Sequence, residues 1–120
     1  MGIISTEHED QGLQVRADGT ARRNERIREL LTKAMSLLAS HGAIFIGQNV
    51  RYGAGIAMYD HLANVPSYQR IELPVAEELQ MGIGVGLALQ GFLPVSIYPR
   101  MDFLLRAADS LINHLDKLSE

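Results

Sequence analysis

The chain has 120 residues, of which 47% are hydrophobic and 21% are charged, and its formal net charge is -3. This length suffices for one ordinary domain with a hydrophobic core, and the composition is typical of a soluble globular protein. The weak negative charge argues against a nucleic-acid partner. The sequence has no cysteine, which excludes disulfides, thiolate metal sites and a cysteine nucleophile.

The sequence shows neither a membrane span nor a targeting signal. No apolar run reaches the roughly 18 residues that a membrane-spanning helix requires. The N-terminus lacks the basic region and the apolar core of a secretory signal peptide. We therefore expect a soluble, cytoplasmic protein without a membrane partner.

The N-terminal third of the chain is predicted to be a flexible tail followed by one helix. Residues 1–19 are polar and have no periodicity, so we expect a flexible tail there and a domain over residues 20–120. From Thr20 the apolar residues recur at helical spacing to about Ser40, and Gly42 supplies a typical helix stop.

Three short strands are predicted in the rest of the chain. The uninterrupted apolar run over residues 43–47 predicts a strand that is covered on both faces. Further strands are predicted over residues 69–73 and 94–98, each separated from the last by a helix. Strands that alternate with helices predict an α/β domain with a parallel sheet.

Two other helices are predicted around these strands. A short helix is expected over residues 56–62. The last helix is expected to begin at Asp102, which would serve as its N-cap, and to run to about Leu118.

The most informative stretch is a glycine-containing helix that is predicted to begin at Glu77 and to end before Gly91. It is apolar on nearly every side beyond Glu78, which predicts a buried helix, and Gly82 and Gly86 share one face. Acids in a first helical turn favour the helix dipole by about 0.3–1 kcal/mol, which by itself is a structural role. A shielded carboxyl group just beyond a strand end is also where α/β proteins hold catalytic groups, and this makes Glu77 the candidate.

Other common sites are not predicted. The alternating glycines of this helix do not form the Gly-x-Gly-x-x-Gly dinucleotide fingerprint, and no phosphate-binding loop with Gly-Lys-Ser/Thr is present. The four histidines lack ligand spacing, so we expect surface or capping residues and no metal site. These histidines are His8, His41, His61 and His114.

Residues on both sides of the glycine-containing helix carry a resemblance to a known family. The chain is similar to the pyrimidine-binding domain of thiamine-diphosphate-dependent enzymes of the transketolase-like superfamily, most closely to the beta subunit of 2-oxo acid dehydrogenases. The resemblance covers about residues 25–118 and implies a three-layer α/β/α domain with a mainly parallel sheet, incomplete relative to the family's fold. The matching residues are Gly47-Gln48-Asn49-Val50, Tyr52-Gly53, Pro74-Val75-Ala76-Glu77, Gly82, Gly86, Gly91, Pro94-Val95, Asp102-Phe103, Ala107, Asp109, Ile112, Asn113 and Lys117.

The resemblance implies a role for three of these residues. Glu77 corresponds to the acid that hydrogen-bonds a ring nitrogen of the cofactor's aminopyrimidine and activates the cofactor, which makes it the expected catalytic residue. Val75 corresponds to an apolar contact beside the pyrimidine ring, and Phe103 to the aromatic side chain that packs against it. Val75, Glu77 and Phe103 are thus the expected cofactor-binding residues. A shielded carboxyl group suits this role because it can share a proton with a ring nitrogen.

The resemblance also implies a partner. The family holds the diphosphate and the magnesium ion with a Gly-Asp-Gly…Asn motif on a different domain, and this sequence has no such motif. We therefore expect thiamine diphosphate to be shared with an alpha-type, diphosphate-binding subunit that holds the magnesium, in a homo- or hetero-oligomer acting on a small-molecule substrate. The chain would be a subunit or fragment of an oxidoreductase or transferase, not active alone. Two alternatives stay open: a non-catalytic scaffold or interaction subunit of the same fold, and a transketolase-like or deoxyxylulose-phosphate synthase-like component.

Overall fold

The computed structural model describes residues 4–52, 60–114 and 117, with the side chains of residues 4–13 and 15 excepted. The chain divides into two compact units, Met1–Leu31 and Thr32–Glu120. The sheet and the candidate site belong to the second unit.

Helix α1 spans Ile4–Ser40. It therefore begins before the predicted start at Thr20 and includes most of the segment for which a flexible tail was predicted. Every described side chain between residues 14 and 31 is exposed, so this part of the helix has no buried face whose periodicity could have revealed it. The predicted stop is confirmed, because Gly42 follows the helix with a φ of 80° and its N–H donates to the Ala39 carbonyl at 3.0 Å.

The sheet consists of three parallel strands in the order β2-β1-β3. Strand β1 spans Ala43–Gly47, β2 spans Arg70–Glu72 and β3 spans Leu93–Ile97. Gly47 at the end of β1 is paired with Ile97 at the end of β3. The predicted α/β class with a parallel sheet is confirmed, and the bounds of β1 agree with the prediction.

The hydrophobic core lies against one face of β1. Phe45 is fully buried and clusters with Leu62 and Ile97. Met35 and Leu38, in the last turns of α1, pack against this cluster. The continuous apolar run of β1 is explained by its central place in the sheet, where both of its faces are covered.

Helix α2 spans Glu77–Leu89 and packs on the face of the sheet that carries Ile46, since a Cβ atom built on Gly84 would lie 3.5 Å from the Ile46 Cδ1 atom. The prediction that this helix is buried on all sides is wrong. The side chains of Leu79 and Leu89 are 54% and 66% exposed. The three strands cover only one side of the helix, so its apolar composition does not translate into burial. The predicted end is confirmed by Gly91, which has a φ of 86°.

Helix α3 spans Met101–Arg106 and is followed by a π-helical turn over Ser110–His114. The predicted N-cap at Asp102 is wrong, because Arg100 occupies the cap position and Asp102 lies in the first turn with its carboxylate bound by the Arg100 guanidinium. The single helix predicted to about Leu118 is interrupted by a turn at Ala107. The helix predicted over residues 56–62 lies mostly outside the described residues.

Candidate functional site

The candidate site lies at the carboxyl ends of the parallel strands, where α/β proteins commonly bind ligands. The chain leaves β2 after Glu72 and enters α2 at Glu77. The N-terminus of α2 is therefore at this edge of the sheet. Its N-cap residue, Ala76, has no side chain that could cap the helix.

The two acids that open α2 have different environments. Glu77 is buried, with 4% of its surface exposed, and its Oε1 atom has no hydrogen-bond partner within the described part of the protein. Glu78 is exposed. The expected shielding of Glu77 is thus confirmed. Burying a polar group without a hydrogen-bond partner costs free energy. A ligand or a partner protein that hydrogen-bonds the Glu77 carboxyl group would remove this cost and bind more tightly for that reason.

An open cleft of about 510 Å³ lies in front of the first turn of α2. Its lining combines the buried Glu77 with the apolar Val75, which is 71% exposed, and with the guanidinium-bearing side chain of Arg106. Ala76, Glu78 and Leu79 complete the described lining. The cleft therefore combines an apolar wall and a cation with Glu77, whose Oε1 atom lies buried behind the surface.

Of the three residues expected to bind the cofactor, Val75 and Glu77 are together on this cleft and Phe103 is not among its described lining residues. Phe103 is half-buried in α3, where the Arg100 guanidinium lies 5.2 Å from the centre of its ring. The role of Phe103 as a ring contact therefore stays a prediction.

Gln80 is a site residue that the sequence did not single out. It is fully buried, and its Nε2 atom donates to the Ser96 Oγ at 2.8 Å and to the Ile97 carbonyl at 2.9 Å. A third oxygen, the carbonyl of Ile46, lies 3.5 Å from the same nitrogen. The available signal was a lone polar residue three positions after Glu77 in an apolar helix, a spacing that puts both side chains on one face.

Gly47 makes room for this contact. An added Cβ atom would overlap the Ile97 carbonyl oxygen and would lie 3.1 Å from the Gln80 Nε2 atom. Gly47 also has a φ of 149°, a backbone conformation that other residues rarely adopt. Glycine at position 47 thus has a physical reason in this chain, namely the close approach of the β1 and β3 ends to the Gln80 amide.

A second acid, Glu72, organises the loop that follows β1. Its Oε1 accepts from the Asn49 N–H at 2.7 Å, and its Oε2 accepts from the N–H groups of Val50 and Arg51 at 2.9 and 2.8 Å. Asn49 has a positive φ of 58°, which helps three successive N–H groups to converge on one carboxylate. No local sequence pattern signals this contact, since the partners are more than 20 residues apart.

Arg100 and Asp102 form an ion pair at the start of α3. The hydrogen bond from Arg100 lowers the pKa of the exposed Asp102 carboxyl group below its ordinary value. Both side chains are exposed, so the pair is a surface interaction at the start of α3.

The described residues contain no group of three or more His, Cys, Asp or Glu side chains that could hold a metal ion. Among the predicted surface or capping histidines, His41 is exposed and its Nδ1 lies 2.8 Å from the Leu37 carbonyl at the end of α1. His61 is instead buried.

No helix in the described part of the chain is both long enough and apolar enough to cross a bilayer.

Comparisons of this chain with models of known protein families, with curated proteins and with solved structures found no match.

Proposed function

We propose that the chain binds the aminopyrimidine ring of thiamine diphosphate, as one component of an enzyme that resembles the 2-oxo acid dehydrogenases, with Glu77 as its catalytic residue. The observation that carries the proposal is the Glu77 carboxyl group, which is buried beside an open cleft and has an Oε1 atom without a partner in the described structure. A ring nitrogen that reached this buried atom and shared a proton with it would supply the missing hydrogen bond.

The residues of the cleft fit such a ring. A flat heteroaromatic ring needs an apolar surface beside it and a polar group at one of its nitrogens, which Val75 and Glu77 offer within the same cleft. The work of Glu77 is to share a proton with the ring nitrogen and to hold the ring in one orientation. Bound thiamine diphosphate would supply the carbon–carbon bond chemistry.

The proposal extends to the fold and to a partner. The parallel order β2-β1-β3 with α2 on one face supports an incomplete three-layer α/β/α pyrimidine-binding domain. An alpha-type subunit would hold the diphosphate and the magnesium ion. Exposed apolar side chains support association with a partner: Leu79, Met101 and Leu105 are 54%, 72% and 66% exposed.

These exposed side chains equally support the second candidate, a non-catalytic interaction subunit of the same fold. The two candidates differ in what they require of Glu77. The enzyme component needs its carboxyl group at the ring nitrogen, whereas an interaction subunit uses its outer surface and leaves the cleft without a ligand. A transketolase-like component would use Glu77 in the same way and would differ in its substrate.

The test is a titration of thiamine diphosphate with Mg²⁺ into the chain alone and into a mixture with a subunit that carries a Gly-Asp-Gly…Asn motif, such as the product of a neighbouring gene. We expect tight binding of thiamine diphosphate only in the mixture, because the partner holds the diphosphate and the magnesium ion, whereas the chain alone binds the aminopyrimidine half more weakly. We expect Glu77→Ala to abolish turnover while Glu78→Ala retains it. Full turnover of the Glu77→Ala complex would refute the catalytic role. Assembly of the two subunits without any cofactor binding would favour the interaction subunit.

A further inference from the structure

We propose that Gln80 is a positioning residue that fixes the first turn of α2, and with it the Glu77 carboxyl group, against the carboxyl ends of β1 and β3. The proposal goes beyond the assignment of Glu77 itself. The part of the proposal that concerns ligand binding rests on the proposed function. Gln80 would touch no ligand, and it would act only through the position of Glu77.

The first step of the argument is the set of bonds made by the Gln80 side chain. Its amide nitrogen has two N–H donors, and it lies within hydrogen-bond distance of the Ser96 hydroxyl and of the Ile97 carbonyl, at 2.8 and 2.9 Å. Both acceptors belong to the end of β3. Because Gln80 is fully buried, these bonds are shielded from water, and losing them would leave a buried carbonyl without its donor.

The second step is the position of Gln80 in the helix. Its own backbone N–H donates to the Ala76 carbonyl at 2.9 Å, which closes the first turn of α2. Glu77 lies within this turn, three residues before Gln80 and on the same face. A side chain that ties residue 80 to the sheet therefore restrains the turn that carries the catalytic carboxyl group.

The third step is that no other side chain described in the first turn forms a hydrogen bond with the sheet. Ala76 offers no side-chain cap, Glu77 has an unpartnered carboxylate oxygen, and Glu78 and Leu79 are exposed. A helix terminus without a cap frays readily. The buried amide of Gln80 is thus the contact that opposes fraying at the position where the site needs a fixed carboxyl group.

The first experiment measures amide hydrogen exchange of the full chain by NMR, for the parent protein, for Gln80→Met and for Gln90→Met. Methionine preserves the length of the side chain and removes the amide, and Gln90 is an exposed glutamine at the other end of α2 that serves as the matched control. We expect Gln80→Met to reduce the protection of the amides at positions 80 and 81 about tenfold more than that of Leu87, a local difference of about 1.4 kcal/mol. An equal loss of protection along the whole of α2 would overturn the proposal, because Gln80 would then contribute only to global stability.

The second experiment is a double-mutant cycle on binding of the free aminopyrimidine half of thiamine, followed by NMR. In the parent chain, Gln80→Met is expected to weaken binding about tenfold, whereas in a Glu77→Ala background it is expected to have no further effect. Additive losses would show that Gln80 does not act through Glu77 and would overturn the proposal. If Glu77→Ala itself leaves binding unchanged, or if the parent chain binds no aminopyrimidine, the proposed function fails, and the exchange experiment alone then decides whether Gln80 holds the first turn.

Discussion

The carboxylate of Glu72 is expected to be a main source of stability for the loop that follows β1, and Glu72→Gln tests this with little change of shape. In the parent protein the two carboxylate oxygens accept three backbone N–H groups, from Asn49, Val50 and Arg51. Glutamine has one acceptor oxygen. In the most favourable orientation, the glutamine oxygen takes the place of Oε2 and keeps the bonds from Val50 and Arg51. The amide nitrogen then faces the Asn49 N–H, and this bond is lost because both groups are donors.

The magnitude follows from the lost bond. A hydrogen bond to a charged group contributes about 1.5–3 kcal/mol, and this contact is only partly buried, so we expect Glu72→Gln to lower the free energy of unfolding by about 2 kcal/mol. Glu72→Ala removes all three bonds and is expected to lower the free energy of unfolding by about 3–4 kcal/mol. This is less than the sum for three such bonds, because water can accept a hydrogen bond from the exposed Arg51 N–H in the variant.

The assay is urea denaturation followed by circular dichroism, with Glu25→Gln as the control. Glu25 is an exposed acid in the interior of α1, and its replacement is expected to change stability by less than about 0.5 kcal/mol. If Glu72→Gln and Glu25→Gln unfold at the same urea concentration with the same slope, the assignment of Glu72 as the anchor of the loop is refuted.

Three further substitutions test other contacts of the fold. Gly47→Ala is expected to destabilise the chain by at least about 3 kcal/mol in the same assay, because the new Cβ atom overlaps the Ile97 carbonyl oxygen, and a cost below about 1 kcal/mol would contradict the close approach. Gln69→Met is expected to cost about 2 kcal/mol, since the Gln69 amide donates to two backbone carbonyls in the core, and a neutral effect would show that these bonds add nothing. Arg100→Ala is expected to raise the pKa of Asp102 toward its ordinary value in a carbon-13 NMR titration, because the hydrogen bond that lowers this pKa in the parent protein is lost; an unchanged pKa would refute that cause.

The sequence predicted the sheet well because its signals there are local. The apolar run of β1 is continuous and the intervening helices require parallel connections, so both the class and the bounds of β1 could be read from pattern. The glycines that end helices are an equally local signal. Gly42 and Gly91 each follow a helix and have a positive φ, as expected.

The errors arose where the outcome depends on partners that are distant in sequence. The apolar pattern of α2 could not reveal that the sheet covers only one of its sides, so Leu79 and Leu89 were expected inside and are exposed. The N-terminal part of α1 has no buried face, so periodicity could not detect it. Asp102 is a favourable N-cap residue in general, but here its carboxylate is bound by Arg100.

The candidate site was predictable in part. The burial of Glu77 followed from its place between a strand end and an apolar helix, and Val75 and Glu77 line the same cleft. Gln80 and Glu72 could not be found in this way, because their roles are defined by bonds to residues that lie 16 or more positions away.

The most direct test of the central claim is an NMR titration of the full chain with the free aminopyrimidine half of thiamine, performed on the parent protein and on the Glu77→Gln and Glu25→Gln variants. Glu25 is an exposed acid of α1 that is not among the lining residues of the cleft. The account predicts saturable shifts of the amide resonances of Val75, Ala76 and Glu77 in the parent protein, the same shifts in Glu25→Gln, and binding weakened about tenfold or more in Glu77→Gln. Equal binding by the parent protein and Glu77→Gln, or shifts confined to residues outside the cleft, would contradict it.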